Sequence, residues 1–292
     1  MKIFDDEHFR DGDEPETGRR EFVAGIGMLM AGAMGVSKAA ATESGVTPLP
    51  APAESMTTVL ITGANRGLGL EFARQYAERG CRIIATCRNP DDATDLNAIA
   101  AGNPNVHVEK LDVLEHSAID GLAAKYANMP IDILLNNAGI GGGIQNQIFG
   151  RLEYEVFYDV IAVNAVGPIK MCEAFRDHVK ASALKKMITV SSSQGSIASV
   201  SMPMLYWYRS SKSAVNMMMT NLALQVARRG IIVGLVTPGA TATDFIDPQF
   251  RKAIPNIREP EVAAADMIRN IDRFTLEITG TFFNYDGEII PW

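Results

Sequence analysis

From Thr57 onward the chain alternates short, continuous apolar runs with longer stretches of helical period. That alternation constrains the fold more than any other feature. "TVLITG" (58–63), "RIIATC" (82–87), "VHVEKL" (106–111), "IDILLNNAG" (131–139), "KMITVSSS" (186–193), "IIVGLVTPG" (231–239) and "GTFFNYDG" (280–287) read as strands. Helices are expected over "GLGLEFARQYAERG", 91–101, 114–126, 152–179, the stretch around "YWYRSSKSAVNMMM" (206–219) and 260–274. Strands that are apolar throughout need cover on both faces, which parallel strands joined by helices provide. Right-handed crossovers then give an α/β fold: a doubly wound parallel sheet of about seven strands with helices on both faces. Ligands in such sheets bind beyond the carboxyl ends of the strands.

The residues from 57 to 292 are enough for one such domain, and at 47% hydrophobic the 292-residue chain can bury a core without disulfide staples. The formal charge of −7 comes without any long basic run, which argues against nucleic acid as a partner. Cys81 and Cys87 flank one strand, roughly 20 Å apart, too far for a disulfide. The four histidines form no ligand-spaced pair, so no metal site is expected.

The first 55 residues are different. Arg19-Arg20 precede a Gly/Ala-rich apolar run from Phe22 to Val36, and Ala39-Ala40-Ala41 offers a small-residue cleavage site. The order resembles a twin-arginine export signal over residues 1–41, with a Pro/Ala-rich linker over 42–56. The apolar run is too short to span a membrane stably. A periplasmic location is expected if the signal is used; the alternative is a cytoplasmic protein with an N-terminal extension.

"TGANRGLG" (62–69) joins the first strand to the first helix. Gly63 permits the turn, Gly67 lets a pyrophosphate approach the backbone, and Gly69 allows close helix–strand packing. Free N–H groups at the helix start favour an anion. The T-G-x-x-x-G-x-G spacing resembles the short-chain dehydrogenase/reductase family. Later motifs agree in order: "NNAG" (136–139), Asn164, a serine after the fifth strand, Y-x-x-x-K at 208–212 and "PG" at 238–239. Together they cover the whole body of the chain. The ending "GTFFNYDGEIIPW" resembles the carbonyl-reductase-like and C-factor-like branch.

The resemblance implies a Rossmann-like fold and a nicotinamide cofactor. The second strand ends in Cys87-Arg88, with no carboxylate to hold a 2′-hydroxyl, and Arg66 lies in the glycine loop; both favour NADP(H) over NAD(H). Cofactor contacts are expected from Gly63, Asn65, Arg66, Gly67, Leu68, Gly69, Arg88, Asp112, Val113, Asn137, Gly139, Tyr208, Lys212, Pro238, Gly239, Thr241 and Thr243. Asp112 also has capping-box spacing with Glu115, and Asn137 serves equally well as a sheet-steadying residue.

Carbonyl reduction needs a proton donor and a group that stabilises charge on the oxygen. Tyr208 and Lys212 are four residues apart, on one helix face, and a nearby ammonium lowers a phenol's pKa. Tyr206 lacks such a partner, since Ser210 stands four residues on. The family pattern S-S-x-x-G, anchored on Gly195, points to Ser192, with Ser191 and Ser193 as runners-up. Strand alternation separates Ser192 from its two neighbours. Asn164 resembles the family asparagine that holds a water beside the lysine; the alternative is a helix-interior asparagine bonded to backbone. The expected activity is reversible hydride transfer between NADP(H) and a small-molecule carbonyl or alcohol. The alternative is a cofactor-binding sensor of the same fold. Relatives commonly pair, so a homodimer or homotetramer is expected.

Overall fold

The computed structural model describes residues 56–292, except residues 247 and 253. The expected export signal and the linker up to Ser55 lie outside the described residues. Strand β1 (Thr58–Thr62) leads into helix α1 (Gly67–Glu78), then β2 (Arg82–Cys87), α2 (Thr94–Gly102), β3 (Val106–Lys110), α3 (His116–Lys125) and β4 (Ile133–Asn136). A hairpin, β5 (Gln147–Ile148) with β6 (Arg151–Leu152), precedes α4 (Tyr154–Ile161), α5 (Gly167–Ala174) and α6 (Arg176–Ala181). Then come β7 (Lys186–Val190), the long α7 (Tyr206–Val226), β8 (Ile232–Val236), the short α8 (Pro248–Arg251), α9 (Pro260–Arg273) and β9 (Phe282–Phe283).

Seven strands form one sheet in the order β3-β2-β1-β4-β7-β8-β9, every neighbouring pair parallel. The chain reverses its direction of growth between β1 and β4, which makes the crevice above them the place for a ligand. β1, β4, β7 and β8 are buried at every position, as strands covered on both faces must be. One core layer packs Phe72, Tyr76, Leu96, Ile268 and Phe274 against the sheet. The opposite layer uses Ile119, Met171, Phe175, Val215 and Met219. Each such buried side chain contributes about 1.5–3 kcal/mol. The methionine run at 217–219 divides between surface and core: Met217 is exposed and Met219 is fully buried.

Three expectations are corrected. The helix expected over 152–179 starts only at Tyr154 and is broken. A π-helical turn, Ala162–Val166, separates α4 from α5. Pro168 has no N–H to give the Asn164 carbonyl, so the regular ladder cannot continue there. The strand expected over 280–287 contracts to Phe282–Phe283, because Gly280 and Gly287 take φ of +82° and +86° and turn the chain. The Asp112/Glu115 capping box does not form. Asp112 instead accepts from the Leu114 N–H at 3.0 Å, and α3 begins at His116.

No helix among the described residues is long and apolar enough to cross a membrane. Lys186, the first residue of β7, is buried and donates to the carbonyls of Ile271 (2.8 Å) and Asp272 (3.1 Å) at the end of α9.

Candidate active site

The glycine loop is built for close approach. Gly63 and Gly67 have φ of +66° and +54°. A Cβ on Gly69 would fall 2.0 Å from the Gly63 carbonyl oxygen, so only glycine lets α1 start this near β1. Arg66, the N-cap of α1, makes no side-chain cap, and the first turn holds no acidic residue. The opening N–H groups of α1 therefore lack a side-chain acceptor, which suits an anionic ligand. Asn65 is exposed, while Leu68 is partly buried and packs on the core.

The two expected arginines differ. Arg66 makes a solvent-exposed ion pair with Asp244 at 3.5 Å, and Asp244 also meets Arg251 at 3.4 Å. Such exposed pairs are weak and exchange easily for a stronger anion. Arg88 is exposed just past the end of β2. These charges and the uncapped helix start together fit a 2′-phosphorylated dinucleotide.

Around the crevice, Asn137 holds the loop together. Its side-chain nitrogen donates to the carbonyls of Thr62 (2.9 Å) and Gly63 (3.0 Å), so it steadies the end of β1 and the glycine loop. Thr62 accepts from the N–H groups of Asn137 and Ala138 in return. Val113 packs against Gly167 at the start of α5. After β8, Gly239 turns the chain at φ +73° beside Pro238. Thr243 lies against Gly67, while Thr241 is buried with its hydroxyl bonded to the Gly239 carbonyl.

The reacting groups converge where β4, β7 and α7 meet. Asn164, in the π-helical turn, is buried. Its oxygen accepts from Ile140 N–H (2.9 Å), and its nitrogen donates to the Ile140 carbonyl (2.9 Å) and to Ser211 Oγ (3.0 Å). A Cβ on Gly139 would lie 3.3 Å from Asn164 Oδ1 and 3.9 Å from Lys212 Nζ, which places these three together. Ser211 donates in turn to the Tyr208 carbonyl at 2.7 Å.

The serines are sorted by a turn, since β7 ends at Val190 and strand alternation cannot reach them. Ser191 bonds Asn216 at 2.6 Å, Ser193 enters a 3₁₀ turn, and Ser192, whose hydroxyl accepts from the Gln194 N–H at 3.2 Å, lies beside the Tyr208 phenol. Gly195 fits this turn against α7: a Cβ there would be 2.8 Å from Lys212 Cβ. Lys212 is buried and donates to the Val190 carbonyl at 2.9 Å, with its ammonium 5.8 Å from the Tyr208 ring centre.

The electrostatics correct one expectation. Burial raises the Tyr208 phenol to about 12, with the Ser192 hydrogen bond pulling the other way. Burial also lowers Lys212 to about 8. Loss of solvent around the phenolate sets the direction for Tyr208, opposite to the lowering expected from an ammonium one turn away. Tyr206, by contrast, stacks on Phe149 at the surface.

Three residues were invisible to motif reasoning. Phe245 covers Tyr208 with ring centres 5.3 Å apart and touches Gly141. Ser211 is adjacent to Lys212, and only its i+3 spacing from Tyr208 could have flagged it. Gln147 bonds the Tyr208 N–H at 2.8 Å, and nothing in its sequence context signals this.

Residues 57–253 match the profile of the family described as short chain dehydrogenase. The chain belongs to the short-chain dehydrogenase/reductase family. This oxidoreductase is 33% identical over 243 residues to 1-hydroxy-2-glutathionyl-2-methyl-3-butene dehydrogenase of Rhodococcus sp. (strain AD45), covering 81% of this chain and all of the relative. Its fold is similar to the carbonyl reductase Sniffer of D. melanogaster (TM-score 0.74, 26% identity, 81% of this chain and 100% of that one). It is also similar to the NADPH-bound carbonyl reductase from chicken fatty liver (TM-score 0.73, 25% identity, 81% and 99%).

Proposed function

We propose that this dehydrogenase/reductase is an NADPH-dependent carbonyl reductase, converting a small-molecule carbonyl to an alcohol or running the reverse. The observation that carries the reading is the convergence of Ser192, Tyr208, Lys212 and Asn164 at one point beside Gly139. The uncapped start of α1, with Arg66 and Arg88 near it, would hold NADP(H), and the similarity to an NADPH-bound carbonyl reductase supports that choice. When bound, the cofactor supplies the hydride.

The chain's own residues supply the rest. Ser192 donates to the substrate oxygen and stabilises the charge that develops there. Tyr208, held protonated by burial at any physiological pH, gives its proton to that oxygen. Lys212 below pH 8 is a buried cation beside the phenol and compensates the phenolate left behind. Asn164 fixes Ser211 and the Ile140 main chain, and so the wall of the site. Phe245 packs against the Tyr208 ring at the mouth of the site. A protonated phenol favours reduction at neutral pH, whereas alcohol oxidation needs the phenolate and gains with alkalinity.

A panel of aldehydes and ketones, each tried with NADPH and NADH, tests the reading. Substrate-dependent NADPH oxidation that exceeds the NADH rate is expected. Tight NADPH binding without turnover of any carbonyl would contradict it and favour a cofactor sensor.

A further inference from the structure

The first turn of an α-helix leaves its N–H groups without intrahelical partners, and a side-chain oxygen at the N-cap ordinarily takes one. In α7 that position is Leu205, which has no such oxygen and sits at φ 59°, ψ 44°. The N–H of Tyr208 is bound instead by Gln147 Oε1 at 2.8 Å, from 61 residues earlier in the chain. Gln147 is only 1% exposed. Its nitrogen donates to the carbonyls of Gly141 (2.8 Å) and Gly143 (2.9 Å). Asn146 donates to the carbonyl between them, Gly142, at 3.0 Å.

One buried amide thus joins the main chain of Tyr208 to the glycine turn beside it. The turn is close-fitted as well. Gly142 and Gly143 have φ of 73° and 71°, and a Cβ on Gly142 would lie 2.7 Å from Val160 Cγ2 on α4. Gly141, at its start, carries the ring of Phe245 that covers the Tyr208 phenol.

We propose that Gln147 is a positioning residue for the reaction at Tyr208. It replaces the missing cap of α7 and locks the phenol's backbone to the mouth turn, so that proton donor and substrate wall move as one. This rests on the carbonyl-reductase reading for its kinetic consequence, but not for the structural link.

Two variants separate positioning from mere packing. Gln147→Met fills a similar volume without polar atoms. Gln147→Glu keeps the acceptor for the Tyr208 N–H but, when ionised, cannot donate to the two glycine carbonyls. In Gln147→Met, kcat per NADPH-binding molecule should fall about ten- to a hundredfold, with NADPH affinity unchanged and faster hydrogen exchange at the Tyr208 amide. Gln147→Glu should lose kcat as pH rises through the burial-raised titration of its carboxyl and recover toward wild type as pH falls and the carboxyl regains a donor hydrogen. Wild-type kcat in a folded Gln147→Met protein would overturn the proposal. So would NADPH affinity falling in step with kcat in both variants. If Gln147→Met does not fold, the pH profile of Gln147→Glu decides: a constant ratio to wild type between about pH 5 and pH 10 overturns the proposal. If wild type reduces no carbonyl, the functional reading fails separately, and unchanged Tyr208 amide exchange in the variants would still refute the link.

Discussion

Lys186 and Lys212 are both buried, and burial pushes both below the ordinary lysine range. Both donate to main-chain carbonyls, Lys186 from the first residue of strand β7 and Lys212 to the last residue of that strand. Lys186 begins that strand and donates to two carbonyls, Ile271 and Asp272, at the end of α9. A cation there also complements the negative end of the helix dipole. Lys212 stands on α7 and donates to one carbonyl, Val190, at the strand's far end, 5.8 Å from the Tyr208 ring centre. Burial and a shifted pKa are therefore no signature of function by themselves. What differs is the neighbourhood: Lys186 closes a helix, and Lys212 faces a phenol, a serine turn and the start of the glycine-rich mouth.

Exchanging each lysine for methionine should break the pair apart. Lys212→Met is expected to lower turnover by about a thousandfold, far more than its counterpart at Lys186. It should not lower thermal stability at neutral pH, because it removes a charge that burial disfavours. The folded pKa of Lys212 lies near 8, below the ordinary 10.5, so its penalty is fully present below pH 8 and fades as pH rises toward 10.5. Melting temperatures of wild type and Lys212→Met should accordingly converge, or cross in favour of wild type, over that window. A Tm gap independent of pH would contradict the assignment.

Charge reversal at the cofactor end is next in size. Arg88→Glu should weaken NADPH binding by about tenfold while keeping or improving NADH binding, since only the former carries a 2′-phosphate and a carboxylate there can hold the latter's 2′-hydroxyl. Equal losses for both cofactors in a titration would remove the argument for NADP(H) preference. Lys186→Met should have the smallest catalytic effect. It leaves two carbonyls at the end of α9 without their donor and should cost about 1–3 kcal/mol of stability, with kcat per folded molecule unchanged. Denaturant unfolding beside active-site-normalised kinetics measures both. A kinetic defect in Lys186→Met would erase the distinction between the two lysines.

The same contrast shows what the sequence could reveal. The buried strands were legible because continuous apolar runs can form little else, and the parallel sheet followed from their alternation with helices. Gly63, Gly67 and Gly69 were legible because the loop geometry demands them. Tyr208 and Lys212 were legible because i,i+4 spacing places them on one face. The break in 152–179 was harder to see: Pro168 marks it, but the pattern of apolar residues runs through unperturbed. Ser192 was reached through a motif, since its position depends on a turn that strand alternation does not describe. Gln147 and Phe245 had no signature, because loops carry no periodicity and their partners lie 61 and 37 residues away in sequence. Nothing around Lys186 in sequence announces its role, since the carbonyls it binds belong to α9, some 85 residues on.

The claim that everything else serves is that Tyr208 gives the proton. Tyr208→Phe tests it most directly, removing one oxygen from a ring whose packing against Phe245 is unchanged. With the best carbonyl substrate and NADPH, the variant should bind cofactor as wild type does while turnover falls to background. Turnover retained within a few-fold of wild type would contradict the account and return attention to Tyr206.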